Sequence, residues 1–181
     1  MSFQVNDTPN KVTITEEQNT VTVSAAGVQG PAGGTIIPKY GQCSKMTSGS
    51  ITVGQQGTYQ STALTATLSS VADGFSLGTT DTFALKNTTG ETKRMKFFAS
   101  YDATVSGSAV TLGLILAKNG TPLTDTECRA TTSASGAIAK LQTTWMIDVD
   151  DGDEIALFVA NHSNTSTISF QRGRIVATNV T

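Results

Sequence analysis

Hydrophobic and polar residues alternate along most of this chain. Residues 11–15 (KVTIT) and 19–24 (NTVTVS) place Val12 and Ile14, then Val21 and Val23, on one face of two short strands. Residues 16–18 read as the turn between them. Threonine and valine suit a pleated surface, because branching at Cβ restricts χ1 in a helix. A two-stranded ribbon alone is marginal in water, so this one is expected to need something to pair with.

Longer alternating segments follow, and strands are expected over residues 61–68, 81–86, 93–105, 110–118, 126–130, 137–149, 154–162 and 167–178. Turn signals separate them: Asp73-Gly74, Thr89-Gly90, Ser106-Gly107, Asn119-Gly120, Ser135-Gly136 and Asp151-Gly152. Glycine supplies positive φ, and Asn or Asp beside it tolerates the left-handed region. Helix-period patterns are scarce. Many short strands with regular glycine turns predict an all-β fold, an antiparallel sandwich or barrel.

In two segments alternation gives way to continuous apolar runs. Leu112, Leu114, Ile115 and Leu116 form one, and Ile155, Leu157, Phe158 and Val159 the other. Burial of both faces is unusual in an isolated antiparallel sandwich. One explanation is that the second face packs against another copy of the chain.

The glycine-rich stretch GVQGPAGG, residues 27–34, reads as two collagen-style triplets. Two triplets cannot sustain a triple helix, which needs glycine at every third position over a long run. The stretch is therefore either a flexible linker or a place where identical chains run side by side.

Composition narrows the function classes. Charged residues make up 14% of the 181 residues, against about 25% in an average globular chain. The formal net charge of −2 gives no basic field to attract nucleic acid or an anionic membrane. No apolar run approaches the ~18 residues of a membrane-spanning helix. The segment MSFQVNDTPN has neither a basic start nor an apolar core, so no secretory signal is expected. Without a secretory route, Cys43 and Cys128 are expected to be free thiols.

Candidate chemistry is sparse. His162 is the single histidine, and with no G-x-S-x-G elbow nearby it reads as an exposed loop residue rather than part of a catalytic triad. The acidic run Asp148, Asp150, Asp151, Asp153 and Glu154 does not fit the calcium-loop frame, since Val149 occupies the position two before Asp151. It reads as a solvated hairpin turn, with a looser calcium site as the alternative. Lys93, Arg94 and Lys96 followed by Phe97 and Phe98 have the form of a single-strand-binding cluster. On an acidic chain they are expected instead to serve the strand or to contact an acidic neighbouring subunit. Trp145 is expected in the core or between subunits.

The C-terminal half, LGLILAKNGTPL, then GAIAKLQTTWMIDVDDGDEIALFVANHSNTSTI, then GRIVAT, resembles the closing strands of tumour-necrosis-factor/C1q-like jelly rolls, in particular those on bacteriophage virions. The positions that carry the likeness are 118–121 (KNGT), 145–149 (WMIDV), Gly152-Asp153, 155–161 (IALFVAN) and 175–177 (IVA). The T-V-T-V ribbon running into Gly27, Gly30 and Pro31 resembles the start of phage fibre and head-decoration proteins.

The resemblance implies an antiparallel jelly-roll sandwich with an N-terminal β-ribbon arm, assembled as a homotrimer. It divides the chain into an attachment arm (1–26), a Gly/Pro neck (27–38) and a trimerisation domain (39–181). Val12, Ile14, Val21 and Val23 would attach the arm to the major capsid protein, and Gly27, Gly30, Pro31 and Gly33 would let three chains approach at the neck. The function implied is a non-enzymatic capsid decoration or cement protein without cofactor or metal, assembled in the host cytoplasm and carried on the virion surface. It would bind neither nucleic acid nor membrane. The alternative is a tail-fibre tip or adhesin, with the polar loops at 133–136 and 161–166 contacting a host-surface glycan.

Overall fold

The computed structural model describes residues 12–16, 19–23, 38–107 and 109–180. The chain divides into two compact units, Met1–Ile37 and Pro38–Thr181. In the first unit, β1 (Val12–Glu16) and β2 (Asn19–Val23) form an antiparallel ribbon. Val12 pairs with Val23 and Ile14 with Val21, so the four positions expected to attach the arm lie opposite one another in the ladder. Gly27, Gly30, Pro31 and Gly33 lie outside the described residues.

The second unit begins with short strands: β3 (Tyr40–Lys45), β4 (Gly49–Ile51), β5 (Gln60–Ser61), β6 (Thr67–Leu68), β7 (Phe75–Leu77) and β8 (Ala84–Asn87). Longer ones follow: β9 (Lys93–Val105), β10 (Thr111–Lys118), the two-residue β11 (Thr121–Pro122), β12 (Cys128–Thr131), β13 (Ala139–Val149), β14 (Glu154–Asn161) and β15 (Ile168–Asn179). They build two antiparallel sheets. One runs β13-β9-β15-β3-β6 with β4 also on β15; the other runs β11-β10-β14-β8-β7 with β12 also on β10 and β5 on β14. The first strand of this unit pairs with the last, Tyr40 opposite Thr178 and Cys43 opposite Ile175. Successive long strands cross between sheets, so sequence-distant strands become neighbours. This is a jelly-roll sandwich.

The core lies between the sheets. On β9 every second residue from Met95 to Val105 is buried, and the intervening ones face outward. Leu112, Leu114 and Leu116 of β10 and Ile155, Leu157 and Val159 of β14 meet that face from the other sheet. Each glycine of the expected turns has positive φ, and Asn119 beside Gly120 shares it at 50°. Among the described residues no helix is long and apolar enough to cross a membrane.

Three expectations change. The strand expected over 61–68 is broken: β5 ends at Ser61, Ala63 turns with φ 51°, and β6 starts only at Thr67. The strand expected from 126 starts at Cys128, because Thr124–Thr126 forms a 3-10 turn held by the Thr126 hydroxyl, which donates to the Leu123 carbonyl. The third change concerns the two-faced apolar strands. Their outer residues, Ile115 and Ala117 on β10 and Ala156 and Phe158 on β14, form a second buried cluster with Ala84, and Tyr59 packs against it. The chain covers this face itself, so the apolar excess gives no support to a contact between copies.

Candidate functional site

The cover over the β10–β14 face is fastened by a polar cluster. The Tyr59 hydroxyl donates to Glu127 Oε1 at 2.6 Å, and Arg129 Nε donates to the same oxygen at 2.7 Å. His162 Nε2 lies 3.2 Å from the Tyr59 hydroxyl and 3.8 Å from the Glu127 carboxylate. The neighbouring backbone joins in: Gly57 N–H donates to the Asn161 carbonyl, and the Gln56 amide to that of His162. His162 is thus half-buried and engaged, which corrects the exposed loop residue expected from sequence. Burial, with Arg129 adding to it and Glu127 opposing, lowers its pKa below the ordinary histidine value. Burial and the Glu127 carboxylate raise the Tyr59 phenol. The shared bonds tie Tyr59 to Glu127 and His162 and so hold it over the β10–β14 face.

The acidic turn joins strands of opposite sheets, which corrects the hairpin expected from sequence, and it disperses its carboxylates. Asp148 takes a two-pronged bond from Arg94 at 2.8 and 2.7 Å. Asp151 accepts from Gly90 N–H, and Asp153 pairs with Lys118 at 2.7 Å while accepting from the Asn119 amide. Glu154 turns inward, 6% exposed, and accepts from the Thr79 hydroxyl and from the backbone N–H groups of Thr79, Thr80 and Asp81. Burial works to raise this carboxyl, but those bonds outweigh it and hold it below the usual carboxylate range. Among the described residues no three metal-binding side chains converge.

Two of the three basic residues find partners within the chain: Lys93 pairs with Glu91 and Arg94 with Asp148. Phe97 is buried in the core, while Phe98 faces outward beneath Arg174, whose guanidinium carbon stands 5.3 Å from the ring centre. Cys43 and Cys128 are free thiols, and burial pushes Cys43 up to about 12.

Two surface features of the β9 sheet were not legible in the sequence. At its edge, β13 pairs only with β9 among the described residues. Trp145 and Met146 on this strand, and Ile138 just before it, stand 37%, 59% and 57% exposed. Trp145 is therefore an edge residue and not a core residue. On the sheet's outer face, a cavity of about 570 Å³ opens beside Phe98, Arg172 and Arg174.

No known protein family matches the sequence, and no curated protein does. Solved structures do resemble the fold. Eiger TNF from S. frugiperda superposes with a TM-score of 0.57 at 10% identity, over 80% of this chain and 93% of that one. Murine APRIL at pH 5.0 gives 0.48 at 10% identity, over 78% of this chain and all (100%) of that one.

The fold is a TNF-like jelly roll.

Within this TNF-like domain the segments quoted for the resemblance take definite places. Asn119-Gly120 forms the turn from β10 to β11, and Gly152-Asp153 lies in the turn that carries the chain from β13 in one sheet to β14 in the other. Ile155 and Ile175 are core residues of the two sheets. The TNF-like domain holds the Tyr59–His162 cluster on one broad face and the Arg174 cavity on the other, with Trp145 and Met146 at the edge.

Proposed function

We propose that this chain is a non-enzymatic virion structural protein, a homotrimeric capsid decoration or cement protein whose N-terminal ribbon attaches to major capsid subunits. The observation that carries this reading is the ribbon: β1 and β2 form a ladder in a compact unit of their own, and among the described residues they pair only with each other. Such a ribbon has two open edges, and open edges recruit strands from a partner. Each added backbone bond contributes about 1 kcal/mol net. Three arms on one trimer then act together through effective concentration.

The trimer draws support from the TNF-like fold and from the edge patch. Trp and Met are enriched where proteins meet, and here Trp145 and Met146 stand exposed on the edge strand β13. A closed ring of three pairs one patch with a different patch on the next copy, so an edge suits this role. Virion attachment, the major capsid protein as partner and assembly in the host cytoplasm follow from the resemblance of the ribbon and neck.

The test has two parts. Light scattering on the full chain and on a chain starting at Pro38 should give trimers for both. Empty capsids should bind the full chain, gain thermal stability from it, and ignore the shortened chain. Monomers would sink the trimer, and equal capsid binding by both chains would sink the arm. The second reading, a receptor-binding fibre tip, is favoured by the cavity on the β9 sheet; host-cell binding with unchanged capsid stability would select it.

A further inference from the structure

The segment that covers the β10–β14 face has few anchors of its own. Val53 is buried at one end and Thr62 at the other, while the positions from Gly54 to Thr58 are all exposed. Between those anchors, residues 54–61 (GQQGTYQS) offer one large side chain to pack, Tyr59. Hydrogen bonds do the remaining work. Gln60 and Ser61 pair with Val159 and Phe158 of β14. Gly57 N–H donates to the Asn161 carbonyl, and the Gln56 amide to the His162 carbonyl, each at 2.8 Å. Segments held by exposed hydrogen bonds and few apolar contacts open before the rest of a fold.

The strap rests on the single histidine of the chain. A phenol has one proton to give. Tyr59 gives it to Glu127, so the Tyr59 oxygen takes its second bond from a proton on His162 Nε2. The neutral ring is then bare at Nδ1, and Nδ1 faces the strap: a Cβ on Gly57 would stand 3.8 Å from it. A proton taken up there makes the ring cationic beneath the strap. The charged and titratable groups that face the ring are Tyr59 on the strap, Glu127 just before β12 and Arg129 on β12. From β10 only Gly113 and the Thr111 backbone meet it, and its own loop adds the uncharged Ser163 and Asn164. Glu127 and Arg129 cancel, and Glu127 Oε1 already accepts from both Tyr59 and Arg129. The added charge therefore goes uncompensated in a half-buried place, which is why the ring resists protonation while the strap is closed.

We propose that residues 54–60 form an acid-released latch: on protonation of His162 they lift from the β10–β14 sheet while the sandwich stays folded, and they uncover the apolar cluster around Phe158. Release lets water reach the imidazolium, so the open form takes up the proton that the closed form resists. The device goes beyond the decoration role and does not depend on it. It lies on the sheet that does not carry β13, so it leaves free the edge proposed for contact between copies.

The experiment is hydrogen exchange of the full chain, read by mass spectrometry on peptides covering residues 52–61 and 93–105. Rates are expressed as protection factors, which removes the intrinsic effect of pH. At pH 7.5 the strap should be at least about tenfold less protected than β9, the mark of a local opening. Between pH 7.5 and 5.5 strap protection should fall about three- to tenfold, as expected when the open form titrates near 6.5 and the closed form below it. His162→Gln should remove this fall. Tyr59→Phe keeps the histidine but loses the bond to Glu127, so its strap should be less protected at both pH values and still show the fall. Strap protection equal to that of β9, no fall between the two pH values, the same fall in His162→Gln, or undiminished protection in Tyr59→Phe would each overturn the proposal.

Discussion

Tyr59 and His162 meet over Gly113, the hydroxyl 3.2 Å from Nε2, because that strand position carries no Cβ. A Cβ there would lie 2.3 Å from the Tyr59 oxygen and 2.7 Å from the His162 nitrogen. The glycine therefore allows the chain to lay its own cover across β10 and β14.

Gly113→Ala should displace that cover. The expected loss is about 1–3 kcal/mol, the usual cost of overpacking. Tyr59→Phe removes only the hydroxyl and should cost about 1 kcal/mol, since Glu127 keeps Arg129. Urea unfolding measures both. A Gly113→Ala protein as stable as the parent would show that Tyr59 does not pack as described.

His162 should make stability depend on pH near neutrality. Its folded pKa is lowered, so the unfolded chain takes up the proton first. The stability it contributes is whole above the unfolded value of about 6.5 and is lost as pH falls from there through the folded value. His162→Gln should flatten this part of the profile between pH 7 and 5. A parent protein equally stable at both ends would remove the argument.

Glu154 acts further into the acid range. Its folded pKa is also lowered, so its contribution is whole above about 4.3 and fades as pH drops through the folded value. Glu154→Gln should cost about 2–3 kcal/mol at pH 7, because an amide cannot accept the same set of N–H and hydroxyl donors from Thr79, Thr80 and Asp81. It should also lose less stability than the parent between pH 5 and 3. Thermal melts across that range decide.

The Tyr101 hydroxyl is buried without a hydrogen-bond partner among the described residues, and its ring packs against Phe170 at a centroid distance of 5.5 Å. A buried hydroxyl left unpaired costs about 1–3 kcal/mol. Tyr101→Phe should therefore leave the protein at least as stable as the parent. A clear drop in melting temperature would reveal a partner for that hydroxyl.

The long strands were legible because their periodicity is strong. Alternation over residues 93–105 matches β9 end to end, and the glycine turns fall where positive φ was expected. The region from 40 to 87 was not, because its strands are two to six residues long and their pairing partners lie far away in sequence. Tyr40–Lys45 contains little apolar alternation; it is a strand because β15 lies beside it. The candidate site was less legible still. Nothing in the order of residues says that Gln171 is a bulge, or that Arg174 therefore faces outward over Phe98.

By itself, the sequence determined the strand character, the turns, the ribbon and the antiparallel class, because these depend on side-chain branching, alternation and backbone freedom within a few residues. Tertiary structure alone decided which side of each apolar strand is covered, where His162 and Glu154 find their partners, and which charges remain unpaired. Those outcomes depend on contacts between residues tens of positions apart, and local chemistry does not fix such contacts.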